Sequence, residues 1–254
     1  MTSQNIEDLT GTVALITGAT SGIGRATAVA LADRGARVLV HGRNAARGSE
    51  VVAAIRDAGG SAEALLGDLA VPDDVRSVAK QAVELGGGQV DILVNNASLF
   101  PIGGLTPQTT VDDVDAAFAV NVRAPFLLVA ELAPAMAARG HGAIVNVLSM
   151  AAQLGVAGVG LYGASKAALG LLTRSWAAEF GPHGVRVNAV SPGPTDTPGT
   201  AQLLGHLEQL AAQAPAGRLA TADEIAAAIS YLAGPGASFV QGAVFAVDGG
   251  RSAI

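Results

Sequence analysis

Two short runs hold the residue types with chemistry in them. The first, Thr17-Gly18-Ala19-Thr20-Ser21-Gly22-Ile23-Gly24, offers backbone free of Cβ atoms beside a helix start, where N–H groups and a partial positive charge can hold a pyrophosphate. The second, Tyr162-Gly163-Ala164-Ser165-Lys166, sets a phenol and an ammonium four residues apart, on one face of a helix. A free phenol titrates near 10, and bringing it to about 7 takes roughly 4 kcal/mol at about 1.4 kcal/mol per unit. A neighbouring ammonium works in that direction. Together the two runs suit the transfer of a hydride and a proton at one carbon atom. A Tyr-x3-Lys pair alone is a common surface accident. Here an uncharged, glycine-rich stretch precedes it and the glycine run stands upstream.

The elements that must position these residues alternate along the chain. Apolar runs at 13–17, 37–41, 62–66, 92–94, 143–148, 185–190 and 243–247 read as strands. Amphipathic runs at about 22–34, 45–58, 111–138, 162–180 and 222–233 read as helices, with a further helix opening at Pro72, Asp73 and Asp74. Continuous apolar strands spaced by helices predict a doubly wound α/β domain, a parallel sheet of about seven strands with helices on both faces. The whole chain, 1–254, reads as one Rossmann domain without repeats. Its one irregular stretch, 191–217, has a centre at 201–212 that can form a short helix.

The 254 residues are enough for a full core within one domain. Half are hydrophobic but only 4% aromatic, so the core is built from Ala, Val, Leu and Ile. The net charge is −6 and no basic tract appears, which argues against a nucleic-acid partner. There is no cysteine, which removes disulfides, thiolate metal sites and a cysteine nucleophile and fits a reducing, cytoplasmic setting. Residues 1–10 hold Glu7 and Asp8 and no apolar run, so no leader is expected there. The stretch between Arg139 and Lys166 lacks Asp, Glu, Lys and Arg. Asn146, Ser149, Gln153 and its glycines favour a strand, a loop and a helix start over a membrane span. Histidines 41, 141, 183 and 206 show no metal-ligand spacing.

The glycine spacing is Gly-x3-Gly-x-Gly. With Asn95-Asn96-Ala97, Asn121, Ser149, Tyr162 with Lys166, and Pro192-Gly193 in this order, the chain resembles the short-chain dehydrogenase/reductase family, and within it members like 3-oxoacyl-ACP reductase, from about residue 12 to 250. The resemblance implies a catalytic set of Asn121, Ser149, Tyr162 and Lys166. Tyr162 would act as acid and base, Ser149 would steady the substrate oxygen, and Lys166 would hold the nicotinamide ribose and tune the phenol. Asn121 would order a water linking Lys166 to solvent. Ser149 can also be a strand-end cap, and Asn121 a buried amide holding a helix kink.

The same resemblance implies a nicotinamide dinucleotide cofactor held by Gly18, Thr20, Ser21, Gly22, Ile23 and Gly24, by Asp68 and Leu69 against the adenine, by Asn95 and Ala97, by Tyr162 and Lys166, and by Pro192, Gly193, Thr195 and Thr197. Asp68 can equally be a helix cap. Cofactors without a 2′-phosphate usually meet an acid at the end of the second strand. Here Gly42 holds that position and Arg43 follows, so NADP(H) is favoured, with NAD(H) possible. As the alternative, Arg43 is a solvated helix-start residue.

Ser98-Leu99-Phe100 and Gln153-Leu154-Gly155 are candidate walls of a substrate pocket, and residues 194–217 a candidate lid. These are mostly apolar and lack a poised Arg or Lys, so the expected partner is a small neutral or modestly polar carbonyl compound or its alcohol. The long helices 111–138 and 162–180 are expected, by resemblance, to pair in a homo-oligomer, a tetramer or a dimer. Two competing readings are an NAD(H)-preferring alcohol dehydrogenase of the same family and a non-catalytic dinucleotide sensor, which typically lacks the tyrosine or lysine.

Overall fold

The computed structural model describes residues 8–100 and 104–254. Most of the N-terminal stretch in which no leader is expected, residues 1–7, lies outside the described residues. The strands are β1 (Val13–Ile16), β2 (Arg37–Gly42), β3 (Ser61–Leu66), β4 (Ile92–Asn95), β5 (Gly142–Val147), β6 (Val185–Pro192) and β7 (Val244–Val247). The helices are α1 (Gly22–Asp33), α2 (Ala45–Asp57), α3 (Pro72–Leu85), α4 (Val111–Phe118), α5 (Ala124–Arg139), α6 (Gly160–Phe180), α7 (Leu204–Ala211) and α8 (Ala222–Ala233). The strands form one parallel sheet in the order β3-β2-β1-β4-β5-β6-β7. The order reverses between β1 and β4, and in such sheets ligands bind outside the carboxyl ends at that reversal.

Alternation along each strand splits the core into two layers. Ala14 and Ile16 of β1, Ile92 and Val94 of β4, and Val145 of β5 pack with Leu31 of α1, Ile55 of α2 and Ile225 and Ile229 of α8. Leu15, Leu93 and Ile144 face the other way, against Val78 of α3, Leu128 and Leu132 of α5, and Leu169 and Trp176 of α6. Along the central strands both sheet faces are therefore dry, which explains strands that read as unbroken apolar runs.

Local chemistry sets the helix ends. Pro72 occupies the first turn of α3 with Asp73 and Asp74 beside it, where a missing N–H costs nothing and acids complement the dipole. Capping boxes open α4 (Thr110 with Asp113) and α8 (Thr221 with Glu224).

The expected single helix over 111–138 is divided. A π turn spans Ala119–Arg123, with the Ala124 N–H donating to the Ala119 carbonyl five residues back. Pro125 has no N–H for the Asn121 carbonyl four residues back, which disfavours α register here. The run Val111–Arg139 is long and apolar enough to cross a membrane, yet half of its apolar stretch is buried in the protein. The uncharged stretch after Arg139 forms β5, a loop and the start of α6.

Candidate active site

The carboxyl edge of the sheet carries two adjoining clefts. One, of about 400 Å³, is lined by Gly18, Thr20, Ser21, Gly22, Ile23, Gly24, Arg43, Asp68, Leu69 and Ala97. The other, of about 370 Å³, is lined by Ser149, Tyr162, Lys166, Pro192, Gly193, Thr195 and Thr197. Ile23, Asn96, Ser98 and Thr197 line both, so the two form one groove.

The first cleft can be tested directly for a dinucleotide. Gly18 and Gly22 have φ of 65° and 51°, the left-handed region that favours glycine. A Cβ on Gly24 would stand 2.3 Å from the Gly18 carbonyl oxygen, so only glycine lets α1 start this close to the loop. Ser21, at the N-cap of α1, makes no side-chain capping bond, and no acid sits in the first turn. The helix end thus keeps N–H donors and partial positive charge for an anion. The residues fit a pyrophosphate.

The loop is tied from below. Asn96 Nδ2 donates to the carbonyls of Thr17 (2.8 Å) and Gly18 (3.2 Å), and Thr17 Oγ1 accepts from the N–H groups of Asn96 and Ala97 (3.0 Å each). His41 Nδ1 accepts from the Gly18 N–H at 3.3 Å, with Nε2 3.2 Å from the Gly67 carbonyl. Burial pulls His41 down to about 4, so the ring is neutral and Nε2 is the donor. Sequence reading set His41 aside because it weighed histidines only as metal ligands.

Arg47 was also missed. It lines the first cleft with Arg43 and lies in the first turn of α2, which Asn44 caps by accepting the Arg47 N–H at 3.0 Å. The Arg43-x3-Arg47 spacing across an Asn cap was the available signal. An added Cβ at Gly42 would lie 2.4 Å from Thr20 Cγ2, so a side chain there requires Thr20 to turn aside.

In the second cleft Tyr162 is half-buried and Lys166 is 1% exposed. Lys166 Nζ donates to the Val147 carbonyl at 2.8 Å and lies 5.8 Å from the centre of the Tyr162 ring. Burial lowers Lys166 to about 7. Burial also raises the Tyr162 phenol, and hydrogen bonds with Ser98 and Ser149 pull against that rise. The expected lowering of the phenol by Lys166 is therefore not what this environment produces, because desolvation outweighs every favourable contact. The Phe100 ring packs on Tyr162 with centres 4.6 Å apart. Ser149 also caps the turn that follows it, accepting the Ala151 N–H at 3.2 Å.

Two expected residues lie beneath the groove. Asn95 lines neither cleft; its Nδ2 donates to Asn146 Oδ1 at 2.8 Å, and Asn146 Nδ2 donates to Thr173 Oγ1 at 2.9 Å. Its neighbour Asn96 faces the groove instead, since successive strand-end residues point oppositely. Asn121 is fully buried. Its Oδ1 accepts the Leu99 N–H at 2.8 Å and its Nδ2 donates to Ser165 Oγ at 3.0 Å, joining the loop after β4 to the helix that carries Tyr162.

The irregular stretch folds over the groove as a turn, Pro198–Leu203, followed by α7. Its ends are pinned together: the Ala220 N–H donates to the Pro194 carbonyl and the Asp196 N–H to the Ala220 carbonyl, both at 2.9 Å. Thr197 reaches Gly22, where an added Cβ would meet Thr197 Cβ at 3.2 Å. Leu203, His206, Leu207 and Leu210 line the second cleft.

A glycine-cradled anion site continuous with a half-buried tyrosine above a buried lysine defines a class: a dinucleotide-dependent oxidoreductase on a doubly wound sheet. Comparison with known proteins agrees. The family model described as enoyl-(acyl carrier protein) reductase matches residues 18–252. Cis-4-hydroxycyclohexanecarboxylate dehydrogenase of Sinomonas cyclohexanicum is 41% identical over 249 residues, 95% of this chain and 97% of that protein. Cyclohexanol dehydrogenase of an Acinetobacter species is 35% identical over 239 residues, 93% of each. A crystal structure of a short chain dehydrogenase from Burkholderia cenocepacia in complex with NADP is 38% identical, covers 96% of this chain and 99% of that one, and superposes with a TM-score of 0.89. The chain belongs to the short-chain dehydrogenase/reductase family and is an oxidoreductase.

Proposed function

We propose that the protein interconverts a secondary alcohol and its ketone on a compact, ring-sized carbon skeleton, using NADP(H). What carries the reading is the continuity of the groove: the phenol of Tyr162 stands in the cleft that opens directly from the glycine loop. When bound, the nicotinamide supplies or accepts the hydride at the substrate carbon. Tyr162 gives a proton to the carbonyl oxygen, or takes one from the alcohol in the reverse direction. Ser149 donates to that oxygen as charge builds on it. Lys166 spends one N–H on the Val147 carbonyl and has two left for ribose hydroxyls. Its charge works toward the phenolate against the desolvation, and the positive ring of an oxidised nicotinamide would add to it when bound. Asn121 keeps its backbone carbonyl free of an α-helical partner, since Pro125 has no N–H, and that carbonyl can hold the water of a proton path from Lys166.

The paired arginines and the glycine in place of an acid at position 42 support NADP(H), as does the NADP-bound relative. The ring-sized substrate is supported by the largely apolar second cleft and by two relatives whose names specify cyclohexane-ring alcohols. We read residues 194–217 as a lid, given its pinned ends and its contact with Gly22. Exposed Phe118, Phe126 and Leu171 on the α4–α6 face support association of copies. The test is reduction of cyclohexanone followed by NADPH absorbance. Tyr162→Phe is expected to lower kcat by about a hundredfold or more while the Kd for NADPH stays within about twofold, since the ring remains. Near-normal turnover in that variant removes the mechanism.

A further inference from the structure

We infer that His206 on α7 binds a carboxylate carried by the substrate at the end remote from the reacting carbonyl, an inference that rests on the activity proposed above. Leu203, His206, Leu207 and Leu210 all line the second cleft. Their spacing is that of a single helical face. Three of the four are leucines, as an apolar ligand requires. The fourth is an imidazole, the one break in the stripe.

The cleft has two chemically different ends. Among its lining residues the ionisable side chains are Tyr162, Lys166 and His206. Lys166 is buried and bonded to the Val147 carbonyl, and the Tyr162 hydroxyl is met by Ser98 and Ser149. Those groups form the inner end, where the proton is exchanged. His206 is exposed and belongs to the mouth. Among the described residues no Asp or Glu lines the cleft. A carboxylate at the mouth therefore meets no like charge. A cationic substrate would find no counterion there and would face Lys166. A carboxylate at the mouth also keeps part of its hydration, so the desolvation that makes a buried charge expensive is small. Between the ends, Leu207, Leu210 and Phe100 enclose the carbon skeleton.

The sequence pointed to a neutral substrate because no Arg or Lys was poised near the pocket. The imidazole escaped notice because only the folded lid turns that helical face toward Tyr162.

The experiment compares wild type, His206→Leu and His206→Gln on 4-oxocyclohexanecarboxylate, its methyl ester and cyclohexanone. A hydrogen bond to a charged group predicts a rise of about tenfold or more in KM for the acid with His206→Leu, with kcat within about twofold. The ester and cyclohexanone should change by less than about twofold. His206→Gln, which still donates, should recover part of the loss. An equal change for acid and ester, or no change for either, overturns the inference. Calorimetric binding of cyclohexanecarboxylate to the NADP⁺ complex separates this inference from the reductase reading. If no ketone is turned over but binding weakens about tenfold in His206→Leu, the reductase reading falls and the anion site stands. If cyclohexanone is reduced but carboxylate binding ignores residue 206, the anion site falls and the reductase reading stands.

Discussion

Replacing Arg43 and Arg47 by alanine tests how the groove would tell NADPH from NADH. Both guanidinium groups line the glycine-loop cleft and both are exposed. A hydrogen bond to a charged group contributes about 1.5–3 kcal/mol. Solvent screening puts these two at the low end, near 1.5 kcal/mol, or about tenfold in affinity for each arginine. Both would reach one phosphate, so their losses are not independent, and the double variant should lose between about tenfold and a hundredfold. NADH has no group at the 2′ position and should change by less than about twofold. Initial rates across both cofactors, with Kd from nicotinamide fluorescence, give the two ratios. Raising the salt from 0.1 M to 1 M shortens the screening length from about 10 to about 3 Å, so the wild-type preference should shrink while that of the double variant barely moves. A steric corollary follows at Gly42. An acid there requires Thr20 to turn aside, so Gly42→Asp should favour NADH more strongly when Thr20→Ser removes that methyl. Equal losses for the two cofactors, or an unchanged KM for NADPH in the double variant, would refute the assignment of the arginines.

Three further outcomes rest on buried groups. Lys166 titrates at about 7 in the folded protein against an ordinary 10.5, so between those values the unfolded chain binds more protons and the stability this group allows rises with pH. Its burial then costs on the order of 4 kcal/mol at pH 7, against about 1–3 kcal/mol for the Val147 carbonyl left unpaired on truncation. Lys166→Met should therefore be inactive yet more stable in urea at pH 7, with the gain vanishing by about pH 10; a variant weaker than wild type at pH 7 contradicts this. His41 is held at about 4 against an ordinary 6.5, so folded stability is lost as pH falls through that window, and thermal melts of His41→Asn should lack this slope. Protonated His41 has no acceptor for the Gly18 N–H, so NADPH affinity should hold through most of that window and weaken only as pH approaches about 4, where the folded ring gains its proton. Thr173→Val keeps its shape but leaves buried Asn146 Nδ2 unpaired, at a cost of about 1–3 kcal/mol in denaturant unfolding. Thr173→Ser should restore the loss, and an unchanged midpoint for Thr173→Val would show that the bond contributes nothing.

The agreement between pattern and fold is closest where the signal is local. The starts of α3 and α1 follow Pro72 and the glycines of the 17–24 run, because each acts through its own backbone or the next turn. The glycine loop and the Tyr162–Lys166 face were legible for the same reason. The division of the 111–138 helix was written in Pro125, but a proline early in a helical run reads as tolerable until the register around Asn121 is seen. Asn95 and Asn96 were indistinguishable as neighbours. Only the end of β4 decides that one points down to Asn146 and the other into the groove.

By itself, then, the chain determined the alternation of elements, the parallel sheet, the anion-binding turn and the presence of a phenol one helical turn from an ammonium. These depend on interactions across a few residues and on a two-residue or 3.6-residue period. Tertiary structure alone decided that His41 is a neutral brace under Gly18, that His206 faces the cleft, and that desolvation raises Tyr162 while lowering Lys166. Each of these depends on how far water is excluded from a side chain and on which distant segment excludes it, quantities that exist only once the sheet and its two layers of helices have closed.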